Sequence, residues 1–415
     1  MKVWLLSLVS VAGVFLTPGT ARADILPSRP IVLGNGLATF SGDVSGTMSC
    51  MHADGQTCVD DTGFFNYSDY HHSLLRMVRI DLSGSLRAGE HLSVLGELRA
   101  ENEGGVRPYA LYLRIRPWTT RNFDVQIGRI PPTFGAFARR TYANDNPLIG
   151  YPLAYQYLTS LRPDALPANA DELLKMRGRG WLANYSVGNL EAYGGVPLVS
   201  AFRWDTGVQV HGATELVDVT GAVTVGTLSN PLFNDDNSGR QFAGRVALHP
   251  AGSLAGLVVG ASVAHGPFVS TAAARAAGDT NDTSFAQTAW GADVEYSRDH
   301  YLVRAETILS RWTLPIVSQP ALADPLSALS TSVEGRYRIR PGLYAAARVD
   351  HLGFSEITGT AERNSWDAPV TRVEAGGGLS LQRNLLLKLS VQRDTRDGGR
   401  VHAATFTIAQ LVYWF

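Results

Sequence analysis

The chain has 415 residues, 45% of them hydrophobic and 18% charged, with 42 glycines and a formal net charge of -1. That balance gives no sign of a nucleic-acid binder. No run approaches 18 consecutive apolar residues, which excludes helical membrane spans, and only three lysines (Lys2, Lys175, Lys388) do not suggest an ordinary cytosolic enzyme.

The start reads as a secretory signal. Met1-Lys2 is positive, Val3 to Leu16 is apolar but shorter than the about 20 residues of a spanning helix, and Ala21-Arg22-Ala23 is an A-x-A cleavage site before Asp24. Removing Lys2 and Arg22 leaves 34 cations against 37 anions. The expected organisation is a signal peptide over 1–23 and one exported domain over 24–415. Export leads to an oxidising compartment, where the only two cysteines, Cys50 and Cys58 in one polar loop, are expected to pair as a disulfide. Such a bond removes roughly 2.5 kcal/mol of unfolded-chain entropy, which stiffens a loop and cannot hold the fold. No metal or cofactor is expected, since no CxxC spacing accompanies these cysteines.

Most of the chain then alternates with a period of two. Leu37 to Thr47 is a first strand, and a polar loop through Tyr70-His71-His72 follows. Val78, Ile80 and Leu82 oppose Arg79 and Asp81, and after the turn Arg87-Ala88-Gly89-Glu90, Leu92, Val94 and Leu98 alternate with Glu97 and Arg99. Tyr109, Leu111, Leu113 and Ile115 oppose Arg114 and Arg116, while Phe123, Val125 and Ile127 alternate with Asp124 and Gln126. Pro131 to Gly180 breaks the period for about fifty residues, and a connection that long without structure of its own usually has a task. Trp181 to Ser186 and Leu190 to Gly195 form a short pair. Beyond them Phe202, Trp204 and Val208 oppose Arg203 and Asp205. Strands continue at Val217 to Val225, Phe242 to Leu248 and Leu254 to Val263. In the last third Trp290, Val294 and Tyr296 oppose Asp293 and Glu295, and Val303 and Leu309 oppose Arg304 and Glu306. Val333 and Tyr337 oppose Glu334, Arg336 and Arg338, and three further strands carry Arg348, then Arg372 and Glu374, then Lys388.

The fold class expected is all-β, a transmembrane antiparallel β-barrel rather than a soluble sandwich. Strands of about 9 to 13 residues suit a tilted membrane crossing, short turns alternate with longer polar loops, and Tyr and Trp recur at strand ends. The count is 18 strands with the pair between Trp181 and Gly195 and 16 without it. A barrel of either size leaves a water-filled lumen, so passage of solute is the default function. An arginine on the lipid face near mid-membrane costs roughly 2 to 4 kcal/mol, so the strand charges are expected to line the pore. They are Arg79, Arg99, Arg114, Arg116, Arg203, Arg304, Arg336, Arg338 and Arg348, with Asp81, Glu97, Asp124, Asp205, Asp293, Glu295, Glu306, Glu334, Asp350 and Glu374. The stretch 131–180 is expected to fold inward as a constriction loop, placing Arg139, Arg140, Asp145, Lys175, Arg177 and Arg179 opposite wall charges.

Two stretches carry a family resemblance. Leu411, Tyr413 and the terminal Phe415 share one face, which resembles the C-terminal assembly signal of Gram-negative outer-membrane proteins. Gln126 to Arg140, with Gly128-Arg129 and Pro132-Thr133-Phe134-Gly135, resembles the strand-to-loop passage of the phosphate-selective and DcaP-like porin group. The resemblance implies a porin of the outer membrane, a homotrimer if sixteen-stranded, in contact with outer-membrane lipid, lipopolysaccharide and the barrel-assembly machinery. The lysine cluster associated with phosphate specificity is absent, Lys175 standing alone in the insertion. Weak selectivity among small hydrophilic or charged solutes is therefore the expectation. An outer-membrane lipid hydrolase or protease and a non-conducting structural barrel are the alternatives; no GxSxG, HExxH or Walker motif supports an enzyme.

Overall fold

The computed structural model describes residues 27–53, 56–57, 77–102, 105–138, 140–201, 204–399 and 401–415. The expected signal segment, Cys58, Arg139 and Arg203 lie outside the described residues. Sixteen antiparallel strands form one closed wall: β1 (Ala38–Ala53), β2 (Met77–Arg87), β3 (Leu92–Glu101), β4 (Arg107–Ile115), β5 (Asn122–Ile130), β6 (Asp205–Ala213), β7 (Val217–Thr224) and β8 (Gln241–Leu248) make the first half. The second half is β9 (Leu257–Pro267), β10 (Ala286–Arg298), β11 (Tyr301–Trp312), β12 (Leu326–Arg340), β13 (Leu343–Phe354), β14 (Val370–Gln382), β15 (Leu385–Arg396) and β16 (Ala403–Trp414). Each strand pairs with its neighbours in the chain, and the sheet closes where β1 pairs with β16 from Asp43↔Trp414 to Ala53↔Ala404.

Seven connections at one end have at most eight residues (88–91, 116–121, 214–216, 249–256, 299–300, 341–342, 383–384), whereas six of the eight at the other have 13 or more. This is the pattern of short periplasmic turns and longer outer loops. The count is sixteen because the expected pair between Trp181 and Gly195 is not part of the wall. There the backbone packs on the insertion's own chain: a Cβ at Gly195 would lie 1.9 Å from the Thr159 carbonyl oxygen, and Val187–Gly188 pairs with Ala165–Leu166. The insertion consequently runs from 131 to 204, between β5 and β6, which pair directly from Asp205↔Ile130 to Ala213↔Asn122.

The wall is apolar outside and polar inside. Val78, Leu82, Leu98, Ile127, Val208, Val219, Val246, Val263, Val294, Val333, Val349, Val373, Leu389 and Leu411 are exposed, while Arg79, Asp81, Asp124, Gln209, Asp293, Arg348, Glu374 and Asp394 are buried. A soluble sandwich has the opposite distribution; burial of apolar faces between sheets is what stabilises it. Aromatic side chains mark the short-turn rim, with Trp118 against Phe123 and Tyr301 against Tyr337. Tyr109, at the long-loop end of β4, belongs to no outward belt: it points inward and donates to the Ala201 carbonyl at 2.7 Å. Both described ends of the chain lie at the short-turn rim. Phe415 exchanges backbone hydrogen bonds of 3.0 and 3.1 Å with Gly42, and the Tyr413 and Phe415 rings stack 6.0 Å apart on the face that also carries Leu411.

Val333→Arg or Val349→Arg, each at the middle of a strand on the outward face, is expected to lower stability by roughly 2 to 4 kcal/mol. Urea unfolding in lipid vesicles measures this, and unchanged stability in both variants would show that this face does not meet lipid.

Candidate pore lumen

The insertion has no sustained period because its side chains pack in several directions. Its first part carries Phe134, Phe137, Tyr151, Leu153, Tyr155 and Tyr157, all buried, and the one-turn helix α1 (Leu153–Gln156) is buried at every position. The next helix, α2 (Ala170–Lys175), is locally specified. The Asn169 side chain accepts from the Glu172 amide at 3.0 Å, the Glu172 carboxylate reaches back to the Ala168 amide, and Asp171 and Glu172 occupy the first turn.

An inward loop must find partners for its backbone, since an unpaired buried amide or carbonyl costs about as much as a lost hydrogen bond. Charged wall residues provide them. Glu374 on β14 accepts from the amides of Ile149 (3.2 Å) and Gly150 (3.1 Å). Arg348 on β13 donates to Glu374 at 2.7 Å and to the Gly150 carbonyl at 2.6 Å. Arg372 donates to the Tyr151 carbonyl (2.5 Å), to the Gln156 side chain (2.9 Å) and to Asp394 (3.0 Å). The Lys388 ammonium on β15 is held by three insertion carbonyls, those of Ala143, Asn146 (2.8 Å) and Leu148 (3.4 Å). Arg79 on β2 donates to the Tyr151 hydroxyl at 2.5 Å, and the Tyr142 hydroxyl donates to Glu97 on β3 at 2.5 Å. The fit admits no side chain at Gly150, where a Cβ would lie 2.6 Å from Gln392 Oε1 and 2.8 Å from Glu374 Oε2.

Across the barrel the contacts are fewer. Gly135 donates its amide to Ser262 Oγ at 3.1 Å, Glu306 accepts from the Ala136 amide (2.7 Å) and the Tyr155 hydroxyl (2.8 Å), and Arg140 reaches Glu295 at 3.0 Å. The insertion thus crosses the lumen and presses on the wall from β12 through β16 to β3. Beside β7 to β12 it leaves a cavity of about 240 Å³, lined by Arg140, Phe137 and Pro152 of the insertion and by Arg245, Asp293, Glu295, Arg304, Glu306 and Glu334 of the wall. Charges alternate along it: Arg245 pairs with Asp293 (2.5 Å), Arg304 with Glu295 (2.7 Å) and Glu334 (3.3 Å). Asp145 stays open to lumen water yet has protein on most sides; that burial pushes its pKa up against the pull of Arg304, Arg140 and Lys388. Burial, helped by Arg304, pushes the Arg140 pKa down.

The other expected site residues divide between lumen, rim and outer mouth. Arg99 pairs with Asp81, and Arg114 with Asp124 at 2.6 Å, inside the wall. Asp205 points in but accepts from the amides of Gly226 (3.0 Å) and Leu232 (3.1 Å), which fixes the loop after β7. Arg336 and Arg338 share the face of Glu334 and are exposed near the short-turn rim, where Arg338 donates to the Asp299 carbonyl at 3.1 Å. Arg116 is not on the wall: β4 ends at Ile115, and Arg116 is an exposed turn residue whose amide bonds the His91 carbonyl at 2.7 Å. Lys175, Arg177 and Arg179 do not face the constricted part of the lumen either. Helix α2 turns its apolar side into a core with Trp312, Trp366 and Phe406, so the cations that follow are carried to the outer mouth. There Arg177 bonds Ser365 and Asp397, and Lys175 and Arg179 are exposed. Cys50 lies on β1 with its Sγ 3.5 Å from His52 Nε2.

Three residues that hold or line the lumen were not among those expected: Arg245, Arg372 and Lys388. The sequence shows the last two as strand charges without showing that they face the insertion. Arg245 sits between Ala243 and Ala247, where small inward residues blur the alternation that would have marked it.

No family model and no curated protein matches the sequence. Solved structures do match the fold. The anion-selective porin from Comamonas acidovorans superposes with a TM-score of 0.55 at 9% identity, covering 91% of this chain and 99% of its own. OmpF of Salmonella typhi, solved in complex with daunomycin, gives 0.53 at 10% identity over 93% and 100% of the two chains. The outer membrane channel DcaP of Acinetobacter baumannii gives 0.51 at 13% identity over 91% and 97%. The chain has the porin fold. This porin-like barrel shares with them its architecture, at identities too low to carry residue roles across.

Glu374→Ala takes from Arg348 its nearest carboxylate, leaving Asp350 at 3.1 Å and Glu334 at 3.3 Å, and strips two insertion amides of their acceptor, a loss of roughly 2 to 4 kcal/mol at this contact. The expected result is a barrel that remains heat-modifiable on gels but is cut by protease within 141–151. Protease resistance equal to the wild type would mean that the clamp does not hold the insertion.

Proposed function

We propose that the protein is a passive diffusion channel for small hydrophilic and charged solutes, with the insertion as its constriction and no enzymatic activity. The observation that carries this reading is the polar cavity left between the insertion and β7 to β12. An insertion serving only to plug the barrel would have no reason to leave charged groups facing water on one side. Selectivity is weak, because Arg140, Arg245 and Arg304 are interleaved with Asp293, Glu295 and Glu334, and a solute of either sign meets partners of the opposite one. Arg140 and Asp145 are the insertion's contribution, and Lys175, Arg177 and Arg179 serve the outer entrance. In the same reading the barrel is a homotrimer, Leu411, Tyr413 and Phe415 are read by the assembly machinery, lipopolysaccharide surrounds the outer rim, residues 1–23 are a cleaved signal, and Cys50 pairs with Cys58.

Single-channel recording in a planar bilayer tests the proposal. Stable conductance steps are expected, with a small reversal potential under a salt gradient. Folded, heat-modifiable protein that gives no steps would favour a plugged or enzymatic barrel.

Arg140→Ala with Arg304→Ala should shift the reversal potential toward cations without preventing folding; an unchanged potential would remove these residues from the selectivity-setting region. The raised pKa of Asp145 gives a pH dependence. As pH falls, this carboxylate is neutralised before an ordinary aspartate, the lumen loses a negative charge, and anion preference rises. Asp145→Asn should remove that early component from the pH profile of the reversal potential, and a profile identical to the wild type would refute its assignment.

A further inference from the structure

The outward face at the short-turn rim carries a cluster that the channel reading does not use. Arg298 ends β10, pairs in register with Tyr301 at the start of β11, and Tyr301 pairs with Tyr337 on β12. The two tyrosine rings lie 4.9 Å apart, and His300 meets Tyr337 edge-on at 6.0 Å. Beyond a register shift, Arg340 pairs with Leu343 and is exposed. Two guanidiniums therefore flank a tyrosine pair at the level where an aromatic belt meets the headgroups.

These cations are barely compensated. Arg298 has Asp299 at 3.8 Å, with side chains 68% and 83% exposed, and Arg340 has no carboxylate within 4.0 Å among the described residues. Just above the tyrosines, toward mid-membrane, the outward face turns small. Gly335 pairs with Ala347, Ala347 with Ala375, and Ala345 with Gly377, bordered by Val303, Val333, Val349 and Leu379. A Cβ at Gly335 would meet nothing within 4 Å, so a shallow trough lies open beside the charged end.

We infer that this is a binding site for an anionic phospholipid of the periplasmic leaflet. Arg298 and Arg340 hold the phosphodiester, the Tyr301 and Tyr337 hydroxyls bond its oxygens, and one acyl chain lies in the trough over Gly335. Arginine suits this role because its planar fork matches phosphate oxygens and it sheds water more readily than lysine. The site depends on the membrane placement of the barrel and not on conduction, so its failure would leave the channel reading untouched.

The test is native mass spectrometry of protein extracted from vesicles of equal dioleoyl-phosphatidylglycerol and dioleoyl-phosphatidylcholine. Wild-type protein should retain phosphatidylglycerol about tenfold over phosphatidylcholine. Arg298→Gln with Arg340→Gln should bring the ratio close to parity, each guanidinium near the surface contributing roughly fivefold at most. Arg121→Gln, at a separate rim position over Trp118, should leave it unchanged. Three results would overturn the site: no headgroup preference in the wild type, a preference that survives the double substitution, or an equal loss with Arg121→Gln. A change in oligomeric mass with unchanged lipid retention would assign the patch to a second copy of the chain instead.

Discussion

A chain segment can cross a barrel's interior only if its peptide groups exchange water for partners of comparable strength. Here the wall supplies those partners largely as ions. The Glu374 carboxylate takes two adjacent amides and the Lys388 ammonium takes three carbonyls, while Arg348 and Arg372 each bind a carbonyl and a wall acid. Charge-assisted bonds of this kind are about twice as strong as neutral ones. They also answer a second difficulty, since a wall charge covered by the insertion would otherwise be left dry and unpaired. Covering the β12-to-β3 side is favourable because both sets of groups are satisfied together. The β7-to-β12 side closes its ion pairs within the wall except for that of Glu295 with Arg140, and can remain wet.

Much of the barrel was legible in the sequence because one physical rule writes it. Lipid on one side and water or protein on the other impose a period of two, which the stretches around Arg79, Arg114, Asp293 and Arg348 display openly. The short turn read at Arg87-Ala88-Gly89-Glu90 falls within a residue of the observed 88–91 for the same reason. The pair at 181–195 misled because a few alternating residues cannot say whether they face lipid or another part of the insertion. The positions of Lys175, Arg177 and Arg179 were illegible for a related reason. An aperiodic segment gives no direction to its side chains, and their location follows from how α2 packs under the outer loops. Arg116 was missed by a single residue, the distance between a strand end and a turn.

The fold-level likeness to solved porins at 9 to 13% identity has the same origin. A lipid-facing position asks only for an apolar side chain and a water-facing one only for a polar side chain, so a great many sequences satisfy one wall. Greater demands fall on the insertion, where Gly150 can carry no side chain and single carbonyls have designated donors.

Those demands carry an ordering in time. The bonds from Ile149 and Gly150 to Glu374 join groups 225 and 224 residues apart, and those from Lys388 to the insertion span 240 to 245. The acceptors and donors for the first half of the insertion thus reside on the last strands to be made. Of the insertion's peptide groups, Asp43 and Arg79 on the early strands meet only the Asn144 amide and the Thr141 carbonyl, so until β13 to β15 are in place segment 145–151 lacks the wall partners of its peptide groups. The aperture therefore takes its final shape only when the C-terminal strands close the wall.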